Sequence, residues 1–474
     1  MTGRRAANHS LRALLSVADW TLEALARSVN ALGAENGTPL HYDRTSVAHW
    51  LAGSLPRPRT RELIAEAFTR RLRRPVSLSE LGMTGESVPR LPSLSPPVPG
   101  PDGERGDAVG ELAALCAADA DPGRRHLVHQ SLYSATRLGS CPPAGPESAT
   151  GDGNVPGEGG VRPARHTAAD ADDGEGEEDE GLGPAVDFFH RAGEFGGRHA
   201  RTALVVYLHD DVVPRLHRAP SGSAFRSLSA HAARLVLVLA RMYVDDVKNG
   251  AAQLYHRVAL RLASAAGDGA TCAGVLAAMS RHAGELRHHE AGMRLAEAAV
   301  RAVPDGAAGL RAVALCQLAL ARARFGDRDR AAESLAAAAP RTGGRPVAAT
   351  CVEGPPCAAP DACLMYHRGQ ALAALGDRAG AVAALRAASE RWPQAAHLSR
   401  ALTLARLGGL LRERGHLEQS CAVWHRFLDD HLHLRSGRAD RLLSGLRGDL
   451  RVHAAHPRAG ALLRRADEAA GRAR

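Results

Sequence analysis

Aromatic residues are scarce in this chain, 4% of 474 positions, while alanine recurs in runs such as residues 336–339. Sandwiches and barrels draw on aromatic and β-branched side chains, so the shortage argues against an all-β fold and for closely packed helices. Lysine is almost missing: of the 60 basic residues only Lys248 is not arginine. A bias that uniform reflects a GC-rich genome more than a physical demand, so arginine richness alone says little about partners. Long apolar runs are missing too. The longest strongly apolar one, residues 235–240, is six residues between Arg234 and Arg241, against the ~20 that a membrane span requires. No membrane partner is expected. Arg4 and Arg5 imitate a twin-arginine export signal, but Arg12, Asp19 and Glu23 fall where an uncharged apolar segment should lie. The chain is therefore expected to be cytoplasmic, with its eight cysteines reduced. It has no P-loop, no G-x-S-x-G elbow, no H-E-x-x-H and no Rossmann glycine fingerprint, so neither an enzyme nor a cofactor is expected.

Composition divides what is present into three parts: 1–84, 85–181 and 182–474. The middle part opens with the proline-rich string VPRLPSLSPPVPGP at residues 88–101. Residues 140–180 carry Gly, Pro, Ser and acids with almost no large apolar side chains. Neither stretch can bury a core, so most of 85–181 is expected to be a disordered linker. Between them, residues 107–138 are apolar enough for one or two short helices that dock onto a neighbour. Residues 170–180 (DADDGEGEEDE) hold eight acids, and removing them would raise the net charge from +9 to +17. The plain reading is a solvated tract; the sharper one is an acidic arm that competes with nucleic acid for basic residues of the same chain.

From residue 182 onward the pattern is helix after helix. Aligning it on turns at Arg287, Gly326, Gly376 and Gly415 gives spacings of 39, 50 and 39, which are a period of about 34 plus insertions. Seven residues before each turn stand Ser280, Ala319, Gly369 and Gly408; five after it stand Gly292, Ala331, Ala381 and Ser420. Twelve after it come Ala299, Ala338, Ala388 and Phe427. Two antiparallel helices approach closely only where side chains are small, and each pair must bury its remaining apolar face on the next. The columns closely resemble the tetratricopeptide repeat. A degenerate fifth unit is expected around Asn249 and Gly250, with extra packing helices near residues 198–216 and after Arg435. Such arrays bind protein or peptide, sometimes a small ligand.

At the N-terminus, helices are predicted at 11–20, 21–32, 43–51 and 60–72, each with apolar residues on one face. In Asp43-Arg44-Thr45-Ser46-Val47-Ala48-His49-Trp50-Leu51, apolar Val47, Trp50 and Leu51 lie on one helical face. The string resembles the recognition helix of the Cro/repressor-like (XRE-type) helix-turn-helix family. That resemblance implies double-stranded DNA as partner, with Arg44, Thr45, Ser46, Ala48 and His49 at the major groove. Seven arginines (57, 59, 61, 70, 71, 73 and 74) follow it, with Arg57 and Arg59 first as phosphate holders. The turn departs from the pattern. About ten residues, 33–42, stand where three or four are usual: either the second helix extends to Glu35 and Asn36-Gly37 ends it, or this is a bundle that only looks like the motif.

The expected fold is all-α: a helix-turn-helix bundle, a disordered acidic linker and an α-solenoid. The combination resembles actinomycete transcriptional regulators that place such a reader ahead of tetratricopeptide repeats, most specifically at residues 41–58 and 195–208. The resemblance implies a homodimer whose repeats sense a protein, peptide or small ligand. The competing reading is a scaffold that binds no DNA. Cys351, Cys357, Cys363 and His367 form C-x5-C-x5-C-x3-H, whose last two gaps resemble one class of zinc finger. The repeat phase puts Cys363 and His367 inside a first helix, so buried structural residues are expected there rather than a metal site. His288 and His289 beside Glu290 are read as turn residues, since helix neighbours point in different directions.

Overall fold

The computed structural model describes residues 7–84, 101–134, 182–219, 222–338 and 359–472. Among these residues it contains helices and no strand. The acidic tract, Cys351 and Cys357 lie outside the described residues.

Four helices make the first unit: α1 (His9–Val17), α2 (Leu22–Glu35), α3 (Arg44–Leu51) and α4 (Pro58–Leu72). Each start has a local cause. The side chains of Asn8, Thr21 and Asp43 accept the N–H groups of Leu11, Ala24 and Ser46, and Pro58 occupies the first turn of α4. These supply partners for amides that a helix leaves unbonded. The apolar stripes meet in one core around Leu11, Leu25, Val47, Ile64 and Phe68. The chain after α4 returns to close that core with Leu81 and Met83, both fully buried.

Next come α5 (Pro101–Ala120) and α6 (Arg125–His129). Their buried residues, among them Leu112, Cys116 and Val128, belong to the same apolar core as the repeats. Asp119 fixes the contact: its carboxylate accepts the Tyr243 hydroxyl, the Tyr255 hydroxyl at 2.8 Å and His129 Nε2 at 3.2 Å. Burial alone would raise this carboxyl, but the three donors outweigh it and hold it below its ordinary 3.8. The segment thus packs on the repeats as part of the same core.

The repeat unit begins with α7 (Leu182–Gly193), α8 (Arg201–Tyr207) and α9 (Val213–Arg218), the last two joined by one π-helical turn. Pairs follow: α10 (Ser223–Asp245) with α11 (Asn249–Ala266), α12 (Gly269–Glu285) with α13 (His289–Ala302), and α14 (Ala308–Phe325) with α15 (Arg328–Ala337). Then come α16 (Pro360–Leu375) with α17 (Arg378–Arg391), α18 (His397–Glu413) with α19 (Leu417–His431), and α20 (Gly437–Arg451) with α21 (Pro457–Arg472). At the turns Gly326 and Gly376 take the left-handed backbone at φ +104° and +91°. Asp327 and Asp377, the next residues, cap the helices that start there. Glycine stops one helix and aspartate starts the other.

The small-residue columns are buried at every position. Ser280 Oγ donates to Gly292 O at 2.7 Å, and Ser420 Oγ to Gly408 O at 2.8 Å, the same two columns bonded in opposite directions. A Cβ on Gly408 would meet the Trp424 indole at 2.5 Å. Helix α10 is long and apolar enough to cross a membrane by length and composition. It is here the core helix of the first pair, with residues 235–240 at most 4% exposed.

The segment between α7 and α8 ties the two ends of the array together. Arg435 N donates to Phe195 O at 2.8 Å, Arg198 N to Arg435 O at 3.0 Å, and Leu398 N to Glu194 O at 2.9 Å. Gly197 leaves no room for a side chain, since a Cβ there would lie 2.0 Å from Met242 O. Buried Asp245 receives Gly197 N and Ser436 Oγ, each at 2.7 Å.

The cysteines depart from the reduced state expected. Cys116, Cys272, Cys316 and Cys421 are free and buried, but Cys363 is in a disulfide whose partner lies outside the described residues.

Candidate nucleic-acid interface

Helix α3 is held at its start by a capping box. Ser46 N and Ser46 Oγ donate to Asp43 Oδ1 at 2.8 and 2.7 Å, and the Asp43 N–H faces Ser46 Oγ at 3.5 Å. The backbone and hydroxyl donors of Ser46 lower the Asp43 carboxyl below its ordinary 3.8. Ser46 is therefore engaged in its own helix cap. Val47 and Trp50 anchor the inner face at 0% and 5% exposure, with the Trp50 ring edge-on to Tyr42. Arg44 and Ala48 stack one turn apart on the outside, as do Thr45 and His49, and all four are exposed. A helix so fixed on one side and open on the other can offer those side chains to a groove.

The long turn before α3 is also ordered. Helix α2 extends to Glu35, and Gly37 takes φ +73°. Asn30 then pairs with the Tyr42 backbone through both amide atoms, at 2.8 Å each. The Tyr42 hydroxyl lies 3.0 Å from Thr60 Oγ1.

The seven arginines do not form one clamp. Buried Arg61 donates to Met83 O at 3.2 Å, and Arg71 to Ala18 O at 2.9 Å. Arg74 pairs with Glu80 at 2.6 Å, and Arg70 with Glu35 and Glu66 at 2.7 and 2.9 Å. These four hold the domain together. Arg57 is exposed at the head of α4, where its side chain makes no cap bond. Arg59, two residues later, is half-buried; desolvation lowers its pKa, partly offset by Glu62.

Sequence reasoning missed the surface by which this unit docks on the repeats. The end of α2 is the contact. Asn249 Nδ2 donates to the Glu35 carbonyl, and Arg441 Nη2 reaches Ala34 O at 3.5 Å. An extended strap, residues 131–134, lies between the two units. Tyr133 N donates to Asn36 Oδ1 at 3.4 Å and Arg70 Nη2 to Tyr133 O at 3.0 Å. On the other side Gln253 grips the Ser134 backbone at both ends, at 2.9 and 2.8 Å. The Tyr133 ring stacks on His288 and stands edge-on to His282. Burial alone would raise the Glu35 carboxyl, but Arg70 and His288 outweigh it and hold it below 4.5. The docking element is thus the long turn that sets this bundle apart from an ordinary helix-turn-helix. Asn36-Gly37 was the one signal for it, and it read only as a helix stop.

Residues 11–84 match the family described as the SP15 N-terminal domain. The match spans α1 to α4 and the returning tail. No curated protein and no solved structure matches the chain.

Proposed function

We propose that this protein is a DNA-binding transcriptional regulator of the actinomycete type that its sequence resembles, acting in the cytoplasm. Its N-terminal unit reads double-stranded DNA, and its repeat unit senses a partner or effector. The observation that carries the reading is the exposed face of α3: Arg44, Thr45, Ala48 and His49 are outward while Val47 and Trp50 lock the helix from behind. Arginine offers two donors to guanine, and a side chain one turn on reaches a neighbouring base or a phosphate. Arg57 and Arg59 then hold the backbone. Docking on the repeats uses the end of α2 and Arg70, so it leaves α3 open. Two copies would read two half-sites about one DNA turn apart.

The test is fluorescence anisotropy of the full chain with random duplex DNA across a salt titration. A regulator binds with an affinity that falls steeply with salt and enriches a preferred sequence over rounds of selection. A chain that binds no duplex at low salt is a docking scaffold, and its N-terminal unit then serves only to hold protein.

A further inference from the structure

The strap at residues 131–134 has the contacts of a bound peptide. Ser131 still belongs with α6, since its N–H and hydroxyl return to Val128 O and Leu127 O. Beyond it, side chains of other elements hold the backbone. The N–H and carbonyl of Tyr133 meet Asn36 and Arg70 of the N-terminal unit, and those of Ser134 meet the two ends of the Gln253 amide on α11. Four consecutive backbone groups are thus bonded by side chains, of which Asn36 and Gln253 are buried. The strap's own side chains alternate as in any extended segment: Leu132 packs on the apolar core of the N-terminal unit, and Tyr133 belongs to that of the repeats. Gly250, at the start of α11, lets the strap pass, since a Cβ there would lie 1.9 Å from Ser131 O. Main-chain bonds combined with pockets for alternate side chains are how proteins read an extended peptide.

The resident tyrosine fits its pocket imperfectly. Tyr133 is 1% exposed, with its ring between His288 and His282, yet its hydroxyl is buried without a hydrogen-bond partner. Glu35 and Arg70, the nearest charges that act on it, are bonded to each other. A hydroxyl left so gives up the hydrogen bonds it makes in water and gains none. Phenylalanine in the same place has nothing to give up. The margin matters because a tethered segment competes for its own site at an effective concentration of about a millimolar. A partner from another chain displaces it only if the resident binds below what the pocket allows.

We infer that the slot between the N-terminal unit and the repeats is a peptide-binding site that this chain fills with its own residues 132–134, and that its partner is an extended peptide carrying an aliphatic residue followed by phenylalanine. In the exchanged state the peptide's N–H groups go to Asn36 and Gln253, its carbonyls to Arg70 and Gln253, and its phenylalanine lies between His288 and His282. The strap is fixed by α6 on one side, while on the other residues 135–181 precede α7, a length of chain that lets 132–134 leave without moving either unit. Calling the peptide an effector rests on the regulatory reading above; the binding site does not.

The probes are fluorescein-labelled peptides with the sequence of residues 130–136, QSLYSAT, and its variants QSLFSAT and QSLASAT, titrated against the full chain by anisotropy. Tyr133→Ala, whose strap has lost its anchor, should bind QSLFSAT saturably and about tenfold tighter than QSLYSAT, the difference of one desolvated hydroxyl. QSLASAT should not bind. Wild type should bind QSLFSAT measurably but about tenfold more weakly than Tyr133→Ala does, because its own strap competes. Tyr133→Phe should bind it more weakly still and melt above wild type, since its strap has no hydroxyl to bury. That comparison leaves the strap intact and decides the matter even where Tyr133→Ala does not fold. A wild-type chain that fails to bind QSLFSAT, wild type and Tyr133→Phe that bind it alike, or QSLASAT bound as tightly as QSLFSAT would overturn the proposal. DNA anisotropy on the same samples separates the two readings: peptide failure with intact DNA binding sinks the slot alone, and the reverse sinks the reader alone.

Discussion

Replacing Arg70 by methionine keeps most of the side-chain volume on α4 and removes four hydrogen bonds at once. Two go to Glu35 at 2.7 and 2.8 Å, one to Glu66 at 2.9 Å and one to the Tyr133 carbonyl at 3.0 Å. The Glu35 side chain is 11% exposed and would be left with the His288 ring at 4.0 Å. Breaking one side of a buried pair costs about 3–5 kcal/mol; with Arg70 itself 20% exposed, about 2–4 kcal/mol is a fair value here. Three of the four bonds lie within the N-terminal unit and one reaches the strap, so the loss should loosen the α2–α4 contact and the dock that rests on it, while the unit's own apolar core stays in place. Amide exchange reads it directly: the strap at 131–134 and the turn at 36–38 should speed up while Leu25 and Ile64 stay protected. The same dock has a defined pH dependence. Because the Glu35 carboxyl is held below 4.5, its contribution is whole above that pH and disappears as pH falls through the lowered value. If the strap of Arg70→Met exchanges as slowly as wild type at neutral pH, Arg70 does not support the dock.

Three further perturbations separate the parts of the fold. Gly369→Leu should cost about 1–3 kcal/mol by overpacking, since even a Cβ there meets Leu385 at 2.8 Å, whereas Arg378→Ala loses a mostly exposed pair at 3.6 Å to Glu413 and should cost under about 1 kcal/mol; equal losses in thermal melts would mean the repeat register is misassigned. Asp119→Ala leaves the hydroxyls of Tyr243 and Tyr255 without their acceptor and should cost about 3–5 kcal/mol with release of α5; trypsin cutting near Arg124 as slowly as in wild type would refute that. Trp50→Ala should cost about 3–5 kcal/mol and unfold the N-terminal unit while the repeats keep their melt; a variant that stays folded and only changes DNA preference would remove Trp50 from the core.

The repeats were legible because close helix packing is a local steric demand: Gly369 and Gly408 stand where Leu385 and Trp424 leave no room, whatever surrounds them. The four N-terminal helices were legible in the same way, from apolar stripes and from caps such as Thr21 and Asp43, with ends displaced by at most three residues. The dock was not. Asn249 and Glu35 are 214 positions apart, and neither has a local pattern that names the other. The arginines misled for a related reason. In a chain with one lysine, arginine also supplies the donors that buried carbonyls need, so Arg61 and Arg71 serve Met83 and Ala18 rather than a phosphate. The stretch at 195–208 stood out in sequence, but that Gly197 lets the chain pass against Met242 is visible only in three dimensions.

The most direct test of the account compares Arg44→Ala with Arg57→Ala in the full chain, on a duplex selected by the wild-type protein and on unrelated duplex, over a range of salt. Arg44→Ala should lose about 1–3 kcal/mol on the selected site and almost nothing on unrelated DNA. Arg57→Ala should weaken both alike and lower the salt slope by about one. Indistinguishable behaviour of the two variants, with no sequence preference in the wild type, would contradict the assignment of α3 as a recognition helix.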